Sequence, residues 1–131
     1  MRTIGEITNE IENFNPIDEY WLPLEDLLNE LWEQESPQKG IKSLFKIFEK
    51  FPTEDGFGVF WSILHGIETF KNYEHNLIES LNFRPSLMGI IMLNRLENSS
   101  PKKIEIDKIL ELKESIKKRP QIEKELINQL I

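Results

Sequence analysis

The side chains able to do chemistry are few. Two histidines, His65 and His75, stand ten positions apart, and neither an HExxH pattern nor a paired-histidine helix face is present. His65 and Glu68 share a helix face at i, i+3, but two ligands do not make a zinc site. Ser62 lies one turn before His65, in a strongly apolar stretch with no oxyanion donor or orienting acid in view. The glycines of Asp55-Gly56-Phe57-Gly58 follow no strand and have neither phosphate-loop nor dinucleotide spacing, so they read as the start of a helix with Asp55 near its cap. Cysteine is absent, which removes disulfides, thiolate chemistry and Cys-type zinc sites. The expectation is a protein with no catalytic residues, no metal and no cofactor.

The elements that position these residues read as helices. The 131 residues suit one domain, 1–131. Leu, Ile, Val and Phe number 43, about a third of the chain and well above the ~20% floor of disordered sequences. Val occurs once and Thr four times, so β-branched side chains rest almost wholly on Ile, while Leu, Glu, Lys and Gln favour helix. Apolar residues recur at helical spacing in Leu24, Leu27, Leu28, Leu31, then in Leu44, Phe45, Ile47, Phe48, Phe51, and again in Ile109, Leu112, Ile116 and in Ile122, Leu126, Leu130. The fold class is all-α, with helices over about 3–14, 17–35, 38–51, 55–71, 74–83, 85–98, 105–118 and 120–130. Pro23 marks a turn or first turn within the second. Ser36-Pro37 and Ser100-Pro101 read as N-cap plus first turn.

Pro52, Pro85 and Pro120 each separate two helical segments, at intervals of 33 and 35 residues. Seven or eight helices stacked as antiparallel hairpins in an α-solenoid of the HEAT kind would show this interval, and an irregular helical bundle is the alternative. In the 55–70 segment, Phe57, Phe60, Trp61 and Leu64 make one apolar face, and Val59, Ile63 and Phe70 the opposite one. That predicts a central helix covered on both sides, with Gly58 and Gly66 admitting close neighbours.

Charge is unevenly laid out. Residues 1–70 hold 5 basic and 14 acidic side chains, and residues 71–131 hold 11 and 9, giving −9 and +2 within an overall −7. This argues against a general nucleic-acid or anionic-membrane binder. No apolar run approaches the ~18 residues of a spanning helix, and the first residues carry Glu6, Glu10 and Glu12 in place of a signal peptide, so a cytoplasmic protein is expected. The densest acidic block is Asp18, Glu19, Glu25, Asp26, Glu30, Glu33 and Glu35, with no basic residue between Arg2 and Lys39. Glu25, Asp26, Glu30 and Glu33 fall opposite the Leu24, Leu28, Leu31 stripe. One-signed acid interleaved with Tyr20, Trp21 and Trp32 suits a surface that steers a basic partner and anchors it with aromatics. Simple solubility, with the Trp rings buried, is the competing account. Lys117, Lys118 and Arg119 form the one basic run, at a helix end where cations favour the dipole.

The run GFGVFWSILHG from Gly56 to Gly66, then Tyr73-Glu74, Arg84-Pro85-Ser86 and Leu93-Asn94-Arg95-Leu96, resembles a family of small helical immunity proteins of bacterial polymorphic-toxin systems, contact-dependent growth inhibition among them. The resemblance covers about residues 54–98, roughly a third of the chain, in core-like and turn residues rather than a catalytic signature. It implies a protein without a reaction of its own that binds the toxic C-terminal domain of a cognate effector and neutralises it. Many such toxins are nucleases with basic clefts. The expected contact residues are Asp18, Glu19, Trp21, Glu25, Asp26, Glu30, Trp32 and Glu33, extended by His65, Tyr73 and Glu74. A helical-repeat scaffold binding a peptide or protein is the alternative, and the oligomeric state is open.

Overall fold

The computed structural model describes residues 2–99, 102–119 and 124–130. They form eight α-helices and no strand: α1 (Ile4–Glu12), α2 (Leu22–Trp32), α3 (Ile41–Lys50), α4 (Val59–Glu68), α5 (Glu74–Phe83), α6 (Leu87–Asn98), α7 (Lys103–Lys117) and α8 (Lys124–Gln129). The all-α expectation is met, and the packing order follows the hairpin reading. Each odd-numbered helix packs on the next odd one, α1 on α3, α3 on α5 and α5 on α7. The even ones form a second row in which α2 packs on α4, α4 on α6 and α6 on α8.

Proline sits in the odd-to-even connections because it cannot continue a helix. Pro52 lies between α3 and α4, Pro85 between α5 and α6, and Pro16 holds the same place between α1 and α2. Pro120 and Gln121, with Ile122, lie outside the described residues, as do Ser100 and Pro101. The turns also touch: the Leu87 N–H donates to the Pro52 carbonyl at 2.6 Å. Repetition reaches the side chains of the odd row. Ser43 Oγ donates to Glu12 at 2.6 Å, and Ser80 Oγ donates to Glu49 at 2.6 Å, with both serines and both glutamates 37 positions apart.

Helix boundaries follow local chemistry. Thr3 and Glu6 make a capping box at the start of α1, and the buried Ser86 hydroxyl accepts the Gly89 N–H at 3.0 Å to cap α6. Three expected helices start later than the periodicity suggested. Residues 17–20 close a tight turn, with the Tyr20 N–H on the Ile17 carbonyl at 2.9 Å and positive φ at Asp18 (51°) and Glu19 (60°). The second helix therefore begins at Leu22, with Pro23 in its first turn. Pro37–Gly40 and Gly56–Gly58 are 3-10 turns ahead of α3 and α4, and Ser36 makes no side-chain cap. Asp55 does cap, accepting the Phe57 N–H at 3.1 Å.

One core runs through both rows, built on Ile7, Ile11, Leu24, Leu28, Leu31, Leu44, Ile47 and Phe48, then Phe60, Ile63, Leu64, Ile67, and on through Leu77, Leu81, Ile90, Leu93 to Ile109, Ile116 and Leu126. The helix after Gly58 is not covered on both sides as its composition suggested. Val59, Phe60, Ile63, Leu64 and Ile67 are buried, but Phe57 is 75% exposed and Trp61 37%. Trp61 and His65, four residues apart on α4, face out, and Phe57 projects from the turn before it. Gly66 does admit a close neighbour, the Trp32 ring, whereas Gly58 has nothing within 4 Å and is used for its φ of 93°.

Candidate partner-binding surface

Helices α2 and α4 run side by side in the same direction. At their starts Trp21 packs edge-on against Phe60, with ring centroids 5.3 Å apart. Midway the Ser62 hydroxyl donates to both carboxylate oxygens of Glu25 at 3.2 Å. At their ends Trp32 lies over Gly66 and against Phe70, with centroids 6.3 Å apart. With Leu24, Leu28 and Leu31 in the core and Glu25 turned to α4, the outward stripe of α2 is Leu22, Asp26, Asn29 and Glu33, all exposed. It adjoins the outward Trp61 and His65 of α4 and Phe57 in the turn before it.

Two of the expected acidic residues are engaged within the protein. Glu30 receives the Arg2 guanidinium through both oxygens, at 2.9 and 3.0 Å, and Arg2 also bonds Glu10. Glu25 is tied to Ser62. Asp18, Glu19, Asp26 and Glu33 remain exposed and make no ion pair among the described residues.

The tryptophans lie elsewhere than expected. Trp21 is 5% exposed, boxed by Phe14, Phe51 and Phe60, and so is a core residue rather than an anchor. Its chain neighbours Tyr20 and Leu22 are exposed instead, at the inner end of the turn that carries Ile17, which is 78% exposed. Trp32 is half-buried against Gly66. Burial of Trp21 draws the two turns together, because its ring stands 3.3 Å from where a Gly56 Cβ would be. Ile17, Tyr20, Leu22, Phe57 and Trp61 thus surround one end of the α2–α4 pair as exposed large apolar side chains. Apolar clusters rimmed by polar residues mark interaction sites. Tyr20 was expected on such a surface, whereas the apolar pattern assigned Phe57 and Trp61 to the core.

At the other end of α4, Glu68 takes the Arg95 guanidinium through both oxygens at 2.8 and 2.9 Å. His65 Nδ1 is 3.9 Å from Glu68, and the His65 ring lies 6.0 Å from that of Trp61. Tyr73 packs half-buried against the core, and burial followed by the Glu68 charge pushes its phenol up from the ordinary value. Tyr73 and the half-buried Glu74 therefore border Glu68 and Arg95 rather than the acidic stripe. Ser62 bonds Glu25 and not His65, so no nucleophile–base pair forms there. Among the described residues no group of three His, Asp or Glu side chains could hold a metal ion.

The odd-helix row carries a cavity of about 620 Å³, bordered by Lys42, Phe45, Lys46, Glu49, Phe83 and Arg84. Its charges are mixed and largely committed: Lys46 pairs with Glu12 at 2.9 Å, and Lys50 donates to the Phe14 carbonyl at 2.8 Å. Hydrogen bonds from Ser43 and then Lys46 hold the Glu12 carboxyl below the usual range, whereas burial pushes that of Glu49 up against the Ser80 hydrogen bond. No described helix is long and apolar enough to cross a membrane. Comparison with family models, curated proteins and solved structures finds no match for this chain.

Proposed function

We propose that this chain is a binding protein without catalysis of its own, and that it docks a basic protein domain on the outward faces of α2 and α4. One observation carries the reading. Four unpaired acids of one sign, Asp18, Glu19, Asp26 and Glu33, adjoin exposed Ile17, Tyr20, Leu22, Phe57 and Trp61. Unpaired surface acids speed encounter with a positive surface, and desolvated aromatics slow departure. The resemblance of residues 54–98 to immunity proteins supplies the partner's class: the toxic C-terminal domain of a bacterial effector, neutralised in the cytoplasm by occlusion. A nuclease cleft, basic because its substrate is anionic, suits such an acidic face.

The test is a pull-down, with this protein as bait, of the C-terminal domain encoded by the adjacent upstream gene. A one-to-one complex that weakens in high salt, and rescue of cells expressing that domain, are the expected results. A second reading, a helical scaffold holding a peptide, draws on the cavity beside Phe45 and Phe83. It predicts that Lys42→Glu and Phe83→Ala weaken binding while changes on α2 do not.

A further inference from the structure

Three consecutive residues, Gly56, Phe57 and Gly58, have φ of 59°, 52° and 93°. For glycine this costs little, but a bulky aromatic residue in the left-handed region is a genuine outlier. The conformation is strongly determined. Asp55 caps the Phe57 N–H with its side chain, and its carbonyl accepts the N–H groups of Gly58 at 3.0 Å and Phe60 at 3.1 Å. Gly56 is pinned too, since a Cβ there would lie 2.9 Å from the Phe60 ring. The outcome is a rigid turn with an aromatic ring at its tip. That ring is three-quarters exposed, takes part in none of the ring pairs of the described residues and adds nothing to the core.

Neither the backbone strain nor the exposure of the ring benefits the isolated fold. Strain held by surrounding structure is found where a site is prepared for a ligand. The Trp21 ring against Gly56 sets the 17–22 segment beside this turn, so exposed Tyr20 and Leu22, with Trp61 four residues on, add apolar surface near the tip, and exposed Asp18, Glu19, Glu54 and Asp55 on the two segments add negative charge. We propose that Phe57 is the anchor of the docking surface, presented in a fixed left-handed turn to enter an apolar pocket ringed by Lys and Arg on a protein partner. This rests on the binding function proposed above. Pre-organising the ring before encounter removes an ordering cost from binding, so its loss falls on the dissociation rate.

The test compares wild type with Phe57→Asn and Phe57→Gly, which accept a positive φ readily. Affinity is measured for the C-terminal domain encoded by the adjacent upstream gene, and the urea midpoint is measured for each protein alone. Expected are a loss of affinity of about thirtyfold or more, carried by faster dissociation, and a midpoint of Phe57→Asn equal to or above wild type. Variants that bind as wild type does overturn the anchor and leave the proposed function standing. Midpoints lowered in both variants overturn it as well, because the ring would then be holding the fold. A wild type that does not bind overturns the proposed function, and the anchor with it.

Discussion

Gly66 carries no side chain, and the Trp32 ring occupies the space where one would be: an added Cβ would stand 2.3 Å from that ring. Two effects oppose each other in Gly66→Ala. Alanine favours a helix interior by about 1 kcal/mol, whereas overpacking a closed contact costs typically about 1–3 kcal/mol. At 2.3 Å from a rigid ring the clash dominates, so Gly66→Ala should lower stability in urea denaturation. In a Trp32→Ala background the same change should be neutral or stabilising, and a penalty of equal size in both backgrounds would remove Trp32 as its cause. Glu49 makes a prediction in pH. Burial favours its neutral form, so its carboxyl lies above the ordinary value in the fold. A raised acid contributes stability at low pH that is lost as pH rises through the carboxylate range. Glu49→Gln keeps an acceptor for Ser80 and removes the buried charge. It should raise the denaturation midpoint at neutral pH and lose that advantage below about pH 4. Glu12, lowered by Ser43 and Lys46, works in the opposite sense, its contribution disappearing as pH falls.

Among the elements, helix type and order were legible because Leu, Ile and Phe recur with a 3.6-residue period and prolines fall in the connections. The expected helix over 74–83 coincides with α5. What periodicity could not supply is where a helix starts, and a shift of one residue turns a side chain by about 100°. Residues 20–22 show the consequence. The turn at Asp18–Glu19 delays α2 to Leu22, so Trp21 enters the core while Tyr20 and Leu22 remain outside. Likewise the turn at Gly56–Gly58 lifts Phe57 out of a stripe that its neighbours Phe60 and Leu64 follow into the core. The acidic stripe was half legible: Asp26 and Glu33 project as their spacing requires, but the partners of Glu25 and Glu30 lie 37 and 28 positions away. The α5–α6 junction yields a prediction of its own. Ser86→Ala leaves the Gly89 N–H without its acceptor in a buried turn, and should cost about 1–2 kcal/mol in urea denaturation. A loss of only a few tenths would mean that the contact between Leu87 and the Pro52 carbonyl sets this junction.

Over the whole molecule, charge is uneven along the chain, and the contrast is sharpest between α3 and α2. Lys42, Lys46 and Lys50 lie along α3 in the odd row, while Asp26 and Glu33 mark the outer edge of the even row. Internal pairs engage four of the 14 acids of the first half, Glu10 and Glu30 with Arg2, Glu12 with Lys46, and Glu68 with Arg95 from the second half. Asp18, Glu19, Asp26 and Glu33 stay exposed on the same segments as exposed Ile17, Tyr20 and Leu22, and that coincidence is the basis of the proposed docking function. Its electrostatic part reaches about 30 Å at 0.01 M salt and about 10 Å at 0.1 M, so it is read in rates at low salt. The decisive measurement is the association rate of the domain encoded by the adjacent upstream gene with wild type and with Asp26→Lys/Glu33→Lys. Both positions are exposed and outside the core, so the fold should be kept. At low salt the double variant should associate about tenfold or more slowly, with little change in dissociation and a difference that closes as salt is raised. Equal association rates at low salt would contradict the account.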